Sequence, residues 1–264
     1  MIKKQLLHGF DIIGDAAIIK FSGKPTITQK KISAQKLMRD NKHIKRIFQK
    51  LGKTEGEERI AKLKWIAGEK TSLVLHKENG CTFYVDLKKV YFSPRLGSER
   101  LRIKNLIKKR ETVLDMFSGV GPYAIEIAKI AKEVYAIDIN KTAIALLNKN
   151  TKLNKLNNIS VINGDSNKII KKLNKKFDRI IMNFPVNPRK FIKSALSVAA
   201  DKCTIHYYFF ANTLYGHKKR IGEELSFIRG VLNGDFTLKS NSRDTGEVAP
   251  YLSRVCLDLH LKKT

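Results

Sequence analysis

Residues 114–129 read LDMFSGVGPYAIEIAK, and residues 133–140 read EVYAIDIN. The first stretch predicts a buried strand, a glycine turn and a helix, and Asp138 ends a second strand 19 residues after Gly119. Gly119 and Gly121 allow the backbone to approach a ligand closely, and the carboxylate of Asp138 can accept hydrogen bonds from both hydroxyls of a ribose. Together these features predict a nucleoside-binding crossover of an α/β fold.

Two later predicted strands also end in polar residues. The segment SVINGD ends at Asp165, which can accept a hydrogen bond from an adenine amino group, and FDRIIMNFP ends in Asn183, Phe184 and Pro185. Ala124 stands where NAD-binding proteins usually carry a third glycine. Acids after the second and third strands, with Asn-x-Pro after the fourth, resemble the S-adenosylmethionine-dependent methyltransferases. The alternative is an α/β domain whose glycines only form turns, and it leaves the polar strand ends unexplained.

The second half of the chain predicts a sheet with helices on both faces. Strands are expected near 112–116, 133–138, 159–163, 177–182 and 202–210, with helices between them. Strands that alternate with helices favour a parallel sheet with right-handed crossovers. A helix near 214–232 and the strands FTLKSNSR and SRVCLDLHL then close the chain. The predicted fold class is α/β, with a doubly wound, mostly parallel, seven-stranded methyltransferase sheet and a closing antiparallel hairpin.

Residues 1–96 are predicted to form a small N-terminal α+β domain, and residues 97–264 the methyltransferase domain. The strands GFDII and AAIIKF are followed by a basic helix expected from about residue 28 to residue 51. The later segment GEERIAKL is also expected to be helical. Asn79 and Gly80 separate two apolar runs, which predicts a β-hairpin within residues 71–92, followed by a basic helix over residues 98–110.

The chain is strongly basic, with 52 Lys and Arg residues against 24 Asp and Glu residues and a net charge of +28. Residues 1–110 hold 27 basic and 10 acidic residues, so +17 of that charge lies there. Such an excess favours a polyanionic partner, although a generally lysine-rich proteome is the alternative. No apolar run has the length of a membrane span and no signal peptide is visible, so a cytoplasmic protein without a membrane partner is expected.

Neither the cysteines nor the histidines predict a metal site. Three widely spaced cysteines favour neither a disulfide framework nor zinc binding. His76, His206 and His217 are scattered along the chain, and His206 reads as a strand residue.

Along nearly its whole length the chain resembles the archaeal tRNA guanine-37 N1-methyltransferases. The segments HKENG, VYFSPRLGSERLRI, DMFSGVGP, YAIDIN, NKLN, MNFP, IHYY and VAPYLSRVCLDL carry the resemblance. The second segment is the most specific, because it lies outside the generic cofactor-binding core. Two departures stand out. The additional N-terminal domain that many relatives use to inspect the outer corner of tRNA is not apparent, and Phe184 replaces a commoner leucine.

The resemblance implies methyl transfer from S-adenosylmethionine to N1 of guanosine 37 in tRNA, next to the anticodon, by a chain expected to be monomeric. Guanine N1 is protonated at neutral pH, so a base must remove that proton while a cation stabilises charge on O6. By motif match these functions fall on Glu99 and Arg59, with Asn183 orienting the guanine and Pro185 shaping its loop. The implied cofactor contacts are Tyr91, Arg100, Asp115, Phe117, Gly119, Gly121, Asp138, Ile139, Asp165, Ser166 and Asn183.

Structural roles are the alternatives for several of these residues. Glu99 can be a first-turn helix acid stabilised by the helix dipole, and Arg59 an ordinary solvated arginine. Tyr91 can be a core aromatic residue, and Arg100 a surface charge.

Three other functions stay open. A wybutosine-pathway relative transfers the aminocarboxypropyl group of the same cofactor at position 37, but it replaces the Asn-x-Pro motif that is present here as Asn183 to Pro185. Methylation of a tricyclic wybutosine intermediate is not excluded. A non-catalytic RNA-binding scaffold is the third possibility, and the retained Gly119, Gly121, Asp138 and Asp165 argue against it.

Overall fold

A computed structural model of the chain describes residues 7–55, 59–214 and 216–264. The Gly-Glu-Glu part of GEERIAKL lies outside the described residues. The first sheet has the order β1-β2-β3-β4, in which β2 and β3 are parallel and the other neighbours antiparallel. Its elements are β1 (Leu7–Ile13), β2 (Ala16–Phe21), helix α1 (Ile27–Asp40), β3 (Arg46–Glu55) and β4 (Ile60–Gly68).

The helix predicted from residue 28 to residue 51 is too long. Helix α1 ends at Asp40, where both the backbone N–H and the side-chain amide of Asn41 donate hydrogen bonds to the carbonyl of Leu37. Such local side-chain bonds compete with further helix. The chain then enters β3, which pairs with β2 from Arg46 to Gln49. The short apolar pattern in this segment fits both a helix and a strand, and the pairing with β2 decides for the strand.

The predicted hairpin is confirmed. It consists of β5 (Leu73–Glu78) and β6 (Cys81–Asp86), joined through Asn79 and Gly80. Both turn residues have positive φ, 48° and 74°, as a two-residue hairpin turn requires.

The seven-stranded sheet confirms the predicted fold class. Its order is β12-β13-β11-β10-β7-β8-β9, with β13 antiparallel to both of its neighbours and the pairs from β11 to β9 parallel. The strands are β7 (Thr112–Asp115), β8 (Glu133–Asp138), β9 (Ile159–Asn163), β10 (Phe177–Met182), β11 (Ala199–Asn212), β12 (Phe236–Ala249) and β13 (Leu252–Lys263). The helices are α2 (Gly97–Leu106), α3 (Pro122–Ala128), α4 (Lys141–Leu153), α5 (Ser166–Ile170), α6 (Ile192–Ser197) and α7 (His217–Leu232). Short 3₁₀ helices precede α2 and α6, at Pro94–Leu96 and Pro188–Lys190.

Successive residues of the central strands face opposite sides of this sheet. Val113 belongs to an apolar cluster with Ile125 of α3 and Phe83 of the hairpin. Leu114 belongs to a second cluster with Ile192 of α6 and others. The sheet is therefore covered on both faces, and its central strands are hydrophobic throughout. Among the described helices, none is both long and apolar enough to cross a bilayer.

Asn150 on α4 and Asn154, which caps the end of α4, attach the hairpin to this layer. The Asn150 amide accepts from the N–H of Tyr84 at 2.7 Å and donates to its carbonyl at 3.1 Å. One turn later, Asn154 makes the same pair of bonds with Thr82, at 3.0 and 2.7 Å. The two side chains thus satisfy backbone groups on the outer edge of β6, as a neighbouring strand would.

Candidate active site

The glycine turn after β7 is fastened to the acid at the end of β8. The N–H of Gly119 donates to Oδ2 of Asp138 at 2.7 Å, and the N–H of Asn140 donates to Oδ1 at 2.9 Å. Gly121 has a φ of 90°, and a Cβ there would lie 2.2 Å from a methyl carbon of Leu147. Only glycine fits this position without displacing its neighbours.

A cavity of about 420 Å³ opens at the carboxyl ends of the central strands. Its volume lies within the usual range for small-molecule sites, and it occupies the edge where parallel α/β sheets bind ligands. Nine of the predicted site residues line it: Arg59, Tyr91, Phe117, Gly119, Asp138, Ile139, Asp165, Ser166 and Asn183. The other lining residues are Asn140, Ala143, Gly164, Phe184, Val186, Asn187, Lys190 and Phe191.

Three phenylalanines form one wall of the cavity. Phe117 stacks on Phe184 with ring centroids 5.0 Å apart and meets Phe191 edge-on at 4.8 Å. An aromatic wall of this kind can hold a flat heterocycle. Asp165, whose carboxylate caps α5 by accepting from the N–H of Lys168, lies in the same cavity and can accept from an exocyclic amine.

The cavity also contains a buried hydrogen-bond acceptor. The side-chain oxygen of Asn183, just after β10, has no hydrogen-bond partner among the described residues. Buried acceptors in folded proteins are almost always paired, so this oxygen points to a ligand donor. Pro185, which is buried, begins the turn that follows.

Asp115 and Gly121 support the cavity without lining it. Asp115 is fully buried at the end of β7, and one of its oxygens accepts from the N–H of Phe117 at 3.3 Å. Burial raises the pKa of this carboxyl to about 7, with the nearby charge of Asp138 adding to the effect. Ser166, which does line the cavity, is held in place by its hydroxyl, which donates a hydrogen bond to the carbonyl of Met116.

Arg59 does not lie on a helix. It occupies the turn before β4 with a φ of 54°, and its guanidinium lies 4.4 Å from the ring centroid of Tyr91. The expected helix in GEERIAKL is therefore wrong over the described residues, because Ile60 already pairs with Glu55 of β3. Tyr91 also contacts Arg254, whose Nη2 donates to the phenol oxygen at 3.3 Å.

The two arginines change the acidity of Tyr91. Burial alone would raise the pKa of the phenol, but the charges of Arg254 and Arg59 outweigh it and hold the pKa below its ordinary value. Arg254 was not singled out from the sequence, because a single arginine in a closing strand carries no motif.

The family model for the TRM5/TYW2 methyltransferase domain matches residues 74–225, and the model for the TYW2 N-terminal domain matches residues 2–71. The chain belongs to the TRM5/TYW2 methyltransferase family. It is 43% identical over 225 residues to the tRNA (guanine(37)-N(1))-methyltransferase Trm5b of Pyrococcus abyssi, covering 84% of this chain and 67% of that protein. The chain therefore spans about two thirds of this relative's length.

Solved structures of TRM5/TYW2 family members share the fold. The complex of aTrm5 with tRNALeu superposes with a TM-score of 0.83 at 35% identity, covering 97% of this chain and 72% of that one. Trm5 of Methanocaldococcus jannaschii in complex with adenosine gives a TM-score of 0.81 at 35% identity, covering 98% and 76%.

Two further residues expected at the TRM5-type site, Arg100 and Glu99, also lie outside the cavity. Arg100 is 2% exposed, and its guanidinium donates hydrogen bonds to both carboxylate oxygens of Glu78, at 2.5 and 2.7 Å. Burial would raise the pKa of Glu78, but hydrogen bonds from His76 and Arg100 lower it to about 2. Arg100 thus fastens the β5–β6 hairpin to α2, and this placement does not support the predicted cofactor contact.

Glu99 is buried in a network of its own. Arg102 donates to both carboxylate oxygens, at 2.7 and 2.8 Å, and the hydroxyl of Tyr208 donates to one of them at 2.7 Å. The same guanidinium of Arg102 also bonds Asp258 at 2.6 Å. Glu99 is therefore not a freely solvated helix acid, because Arg102 and Tyr208 occupy three of its about four acceptor sites.

Strand pairing also assembles a group of possible metal ligands that the sequence spacing did not reveal. One ligand atom each from His206, Cys256 and Asp258 lies within 4.8 Å of the others. Arg102 bonds Asp258, and a guanidinium N–H of Arg179 lies 2.7 Å from the imidazole Nε2 of His206. The guanidinium groups of Arg102 and Arg179 therefore already contact Asp258 and His206, two of the three side chains that a metal ion would need as ligands.

Proposed function

We propose that this chain transfers a methyl group from S-adenosylmethionine to N1 of guanosine 37 in tRNA. The single observation that carries the proposal is the cavity at the strand ends, which joins a ribose-type acid, Asp138, to an unpartnered amide oxygen, that of Asn183. Membership of the TRM5/TYW2 family and the named activity of the Pyrococcus relative support the same reaction.

The cofactor is S-adenosylmethionine, in agreement with the family and with an adenosine-bound structural neighbour. Asp138 would accept from the ribose hydroxyls, the phenylalanine wall would stack on the adenine, and Asp165 would accept from its amino group. Gly119 leaves room for the cofactor beside the turn. The bound cofactor supplies an electrophilic methyl group on its sulfonium.

Two further polar groups of the cavity, those of Asn183 and Arg59, would contact the guanine. The Asn183 oxygen would accept from a guanine N–H, and the Arg59 guanidinium would stabilise negative charge on O6. The proton on N1 would pass to Glu99 as the bond from N1 to the methyl carbon forms and the bond from that carbon to sulfur breaks. The Glu99 carboxylate accepts three hydrogen bonds from Arg102 and Tyr208, which leaves about one acceptor site for this proton.

The substrate class is tRNA, which the net charge of +28 and the tRNA-bound neighbour both favour. The target base lies beside the anticodon and would have to be unstacked to enter a cavity of this depth. We further propose that the chain acts as a monomer in the cytoplasm, with residues 1–96 as a separate RNA-binding and support domain.

One alternative reaction has an observation in its favour. The TYW2 N-terminal model matches residues 2–71, and the chain is 32% identical over 305 residues to Taw22 of Nanoarchaeum equitans, which is named a tRNA (guanine(37)-N(1))/4-demethylwyosine(37)-methyltransferase. Methylation of a tricyclic wybutosine intermediate would use the same cavity. Aminocarboxypropyl transfer is less well supported, because Asn183, Phe184 and Pro185 keep the methyltransferase motif.

Nucleoside analysis tests the proposal. Unmodified tRNA and tRNA carrying the tricyclic intermediate are each incubated with the chain and labelled S-adenosylmethionine, then digested to nucleosides. We expect labelled 1-methylguanosine from the first. Label found solely in the tricyclic nucleoside would support the alternative, and no label in either would support the non-catalytic scaffold.

A further inference from the structure

A buried polar network connects Glu99 of α2 to strands β11 and β13. Arg102 donates to both oxygens of Glu99, and the same guanidinium donates to both oxygens of Asp258 on β13, at 2.6 and 3.2 Å. On its other side, Oδ1 of Asp258 lies 2.5 Å from the imidazole Nδ1 of His206 on β11. One arginine is therefore shared between two carboxylates, and a histidine supports the second of them.

The far end of this network fixes the protonation state of His206. Arg179 forms an ion pair with Glu111 at 2.8 Å, and one of its N–H groups lies 2.7 Å from Nε2 of His206. An arginine can only donate, so Nε2 must accept, and the imidazole is neutral with its proton on Nδ1. That proton is donated to Asp258. Burial also lowers the pKa of His206, although Asp258 opposes the effect.

Asp258 fixes the guanidinium of Arg102 from the side opposite Glu99. A planar guanidinium bonded to carboxylates on two sides keeps one orientation, so it holds both oxygens of Glu99 in place. With an amide at Asp258, the charge of Arg102 would act on Glu99 alone and oppose its protonation. Burial raises the pKa of the other titratable groups near Glu99, which stay uncharged at neutral pH: Tyr208 of β11, Cys256 of β13 and Tyr123 of α3.

We propose that Asp258 is a positioning residue for methyl transfer. Through Arg102 it holds the Glu99 carboxylate so that its remaining acceptor site can take the proton from guanine N1. Among the described residues, those that line the cavity do not include Asp258, so it acts through Arg102 and not by touching the substrate. The inference rests on the proposed function, in which Glu99 is the base.

A double-substitution cycle tests this role. Single-turnover methyl transfer to tRNA is measured for the wild-type chain, Asp258→Asn, Glu99→Gln and the combined variant. We expect Asp258→Asn to slow transfer by about tenfold or more, the effect of losing one charge-assisted contact, with the Kd for tRNA and for S-adenosylmethionine unchanged. In the Glu99→Gln background the same substitution should change the rate little, because the base that it positions is already absent.

Glu224→Gln is the matched control. Glu224 of α7 is fully buried, pairs with Arg189 and Arg220, and accepts from the hydroxyl of Tyr207 at 2.7 Å. Its surroundings therefore resemble those of the Glu99 network, to which it does not belong. This substitution should lower the thermal stability of the chain, because it breaks a buried ion pair, and leave the rate within a few-fold of wild type.

A second variant decides the test if Asp258→Asn fails to fold. Arg102→Lys keeps the positive charge, but an ammonium group cannot bond two carboxylates with a planar fork. We expect the same pattern, with slower transfer in the wild-type background and little further change in the Glu99→Gln background. Thermal unfolding of each variant shows which chains are folded.

Three results would overturn the inference. The first is a wild-type rate in a folded Asp258→Asn chain. The second is slowing by the same factor in both backgrounds, which would make the role of Asp258 purely structural. The third is a rate for Glu99→Gln within a few-fold of wild type, which would leave no base to position. Formation of 1-methylguanosine by the wild-type chain is measured first. Its absence would contradict the proposed function, whereas the three results above leave methyl transfer itself intact.

Discussion

At the scale of single residues, Asp138 combines a structural and a binding role. Its two oxygens accept from the N–H groups of Gly119 and Asn140, and a carboxylate oxygen can accept a second hydrogen bond, such as one from a ribose hydroxyl. Asp138→Ala should therefore weaken S-adenosylmethionine binding by about 1–3 kcal/mol, because the hydroxyls lose acceptors and the glycine turn loses its anchor. Isothermal titration measures this. Asp201→Ala, which alters an 86% exposed side chain, is the control. Equal affinities for both variants would remove Asp138 from the site.

Glu99 decides whether the chemistry carried over from the family applies here. Glu99→Gln keeps the size of the side chain but cannot readily take a proton, so single-turnover methylation should slow by at least about 10²-fold. Affinities for tRNA and cofactor should stay nearly constant.

The matched control for this variant is Glu126→Gln on α3. Glu126 is also fully buried, but its carboxylate accepts hydrogen bonds from Asn79 and does not line the cavity, so the substitution should change the rate little. A Glu99→Gln rate within a few-fold of wild type would mean that another group or water takes the proton.

At the scale of elements, the asparagine contacts between α4 and the hairpin should be a measurable source of stability. Asn150→Ala leaves the N–H and the carbonyl of Tyr84 unpaired, together with the carbonyl of Val120. Unfolding in urea should show a loss of about 1–3 kcal/mol or more. Asn148→Ala, on the exposed face of the same helix, should cost little. Equal losses in the two variants would show that helix propensity, rather than the hairpin contact, dominates.

Elements were predictable from the sequence where local pattern and tertiary context agree. The bounds of β8, β9 and β10 match the expected strands. The apolar residues of β8 and β10 are buried on both faces of the sheet, and β9 pairs with β8 at its edge. The predicted helices were wrong at Arg59 and in the segment after Asp40. There the pairing of β3 with β2 and β4 forms a sheet from residues whose charge and spacing resemble a helix. Local sequence does not encode such long-range partners.

At the scale of the whole molecule, the cavity was partly predictable. Strand ends converge by topology, so Asp138, Asp165 and Asn183 could be placed together from the sequence. The Arg254–Tyr91 contact, the Arg102–Asp258 pair and the packing of Phe191 on Phe117 depend on residues far apart in the chain, and no motif marks them.

The charge of the molecule makes a further prediction. With +28 overall and +17 in residues 1–110, many contacts to RNA phosphates are expected. The affinity for tRNA should then fall by orders of magnitude between roughly 50 and 200 mM salt. Binding to S-adenosylmethionine alone, measured over the same range, is the control and should change far less. A flat tRNA profile would rule out phosphate contacts as the main source of affinity.

The measurement that tests the central claim most directly uses two tRNA transcripts that differ at position 37 alone, one with guanosine and one with adenosine. Each is incubated with excess wild-type chain and labelled S-adenosylmethionine, and the label per tRNA is counted. We predict about one methyl group on the guanosine transcript, recovered as 1-methylguanosine, and none on the adenosine transcript. Adenine has an amine where Arg59 would meet O6 and no N1–H to donate, so the site should not hold it in position for transfer. Equal incorporation into both transcripts, or label in a different nucleoside of the guanosine transcript, would contradict the assignment.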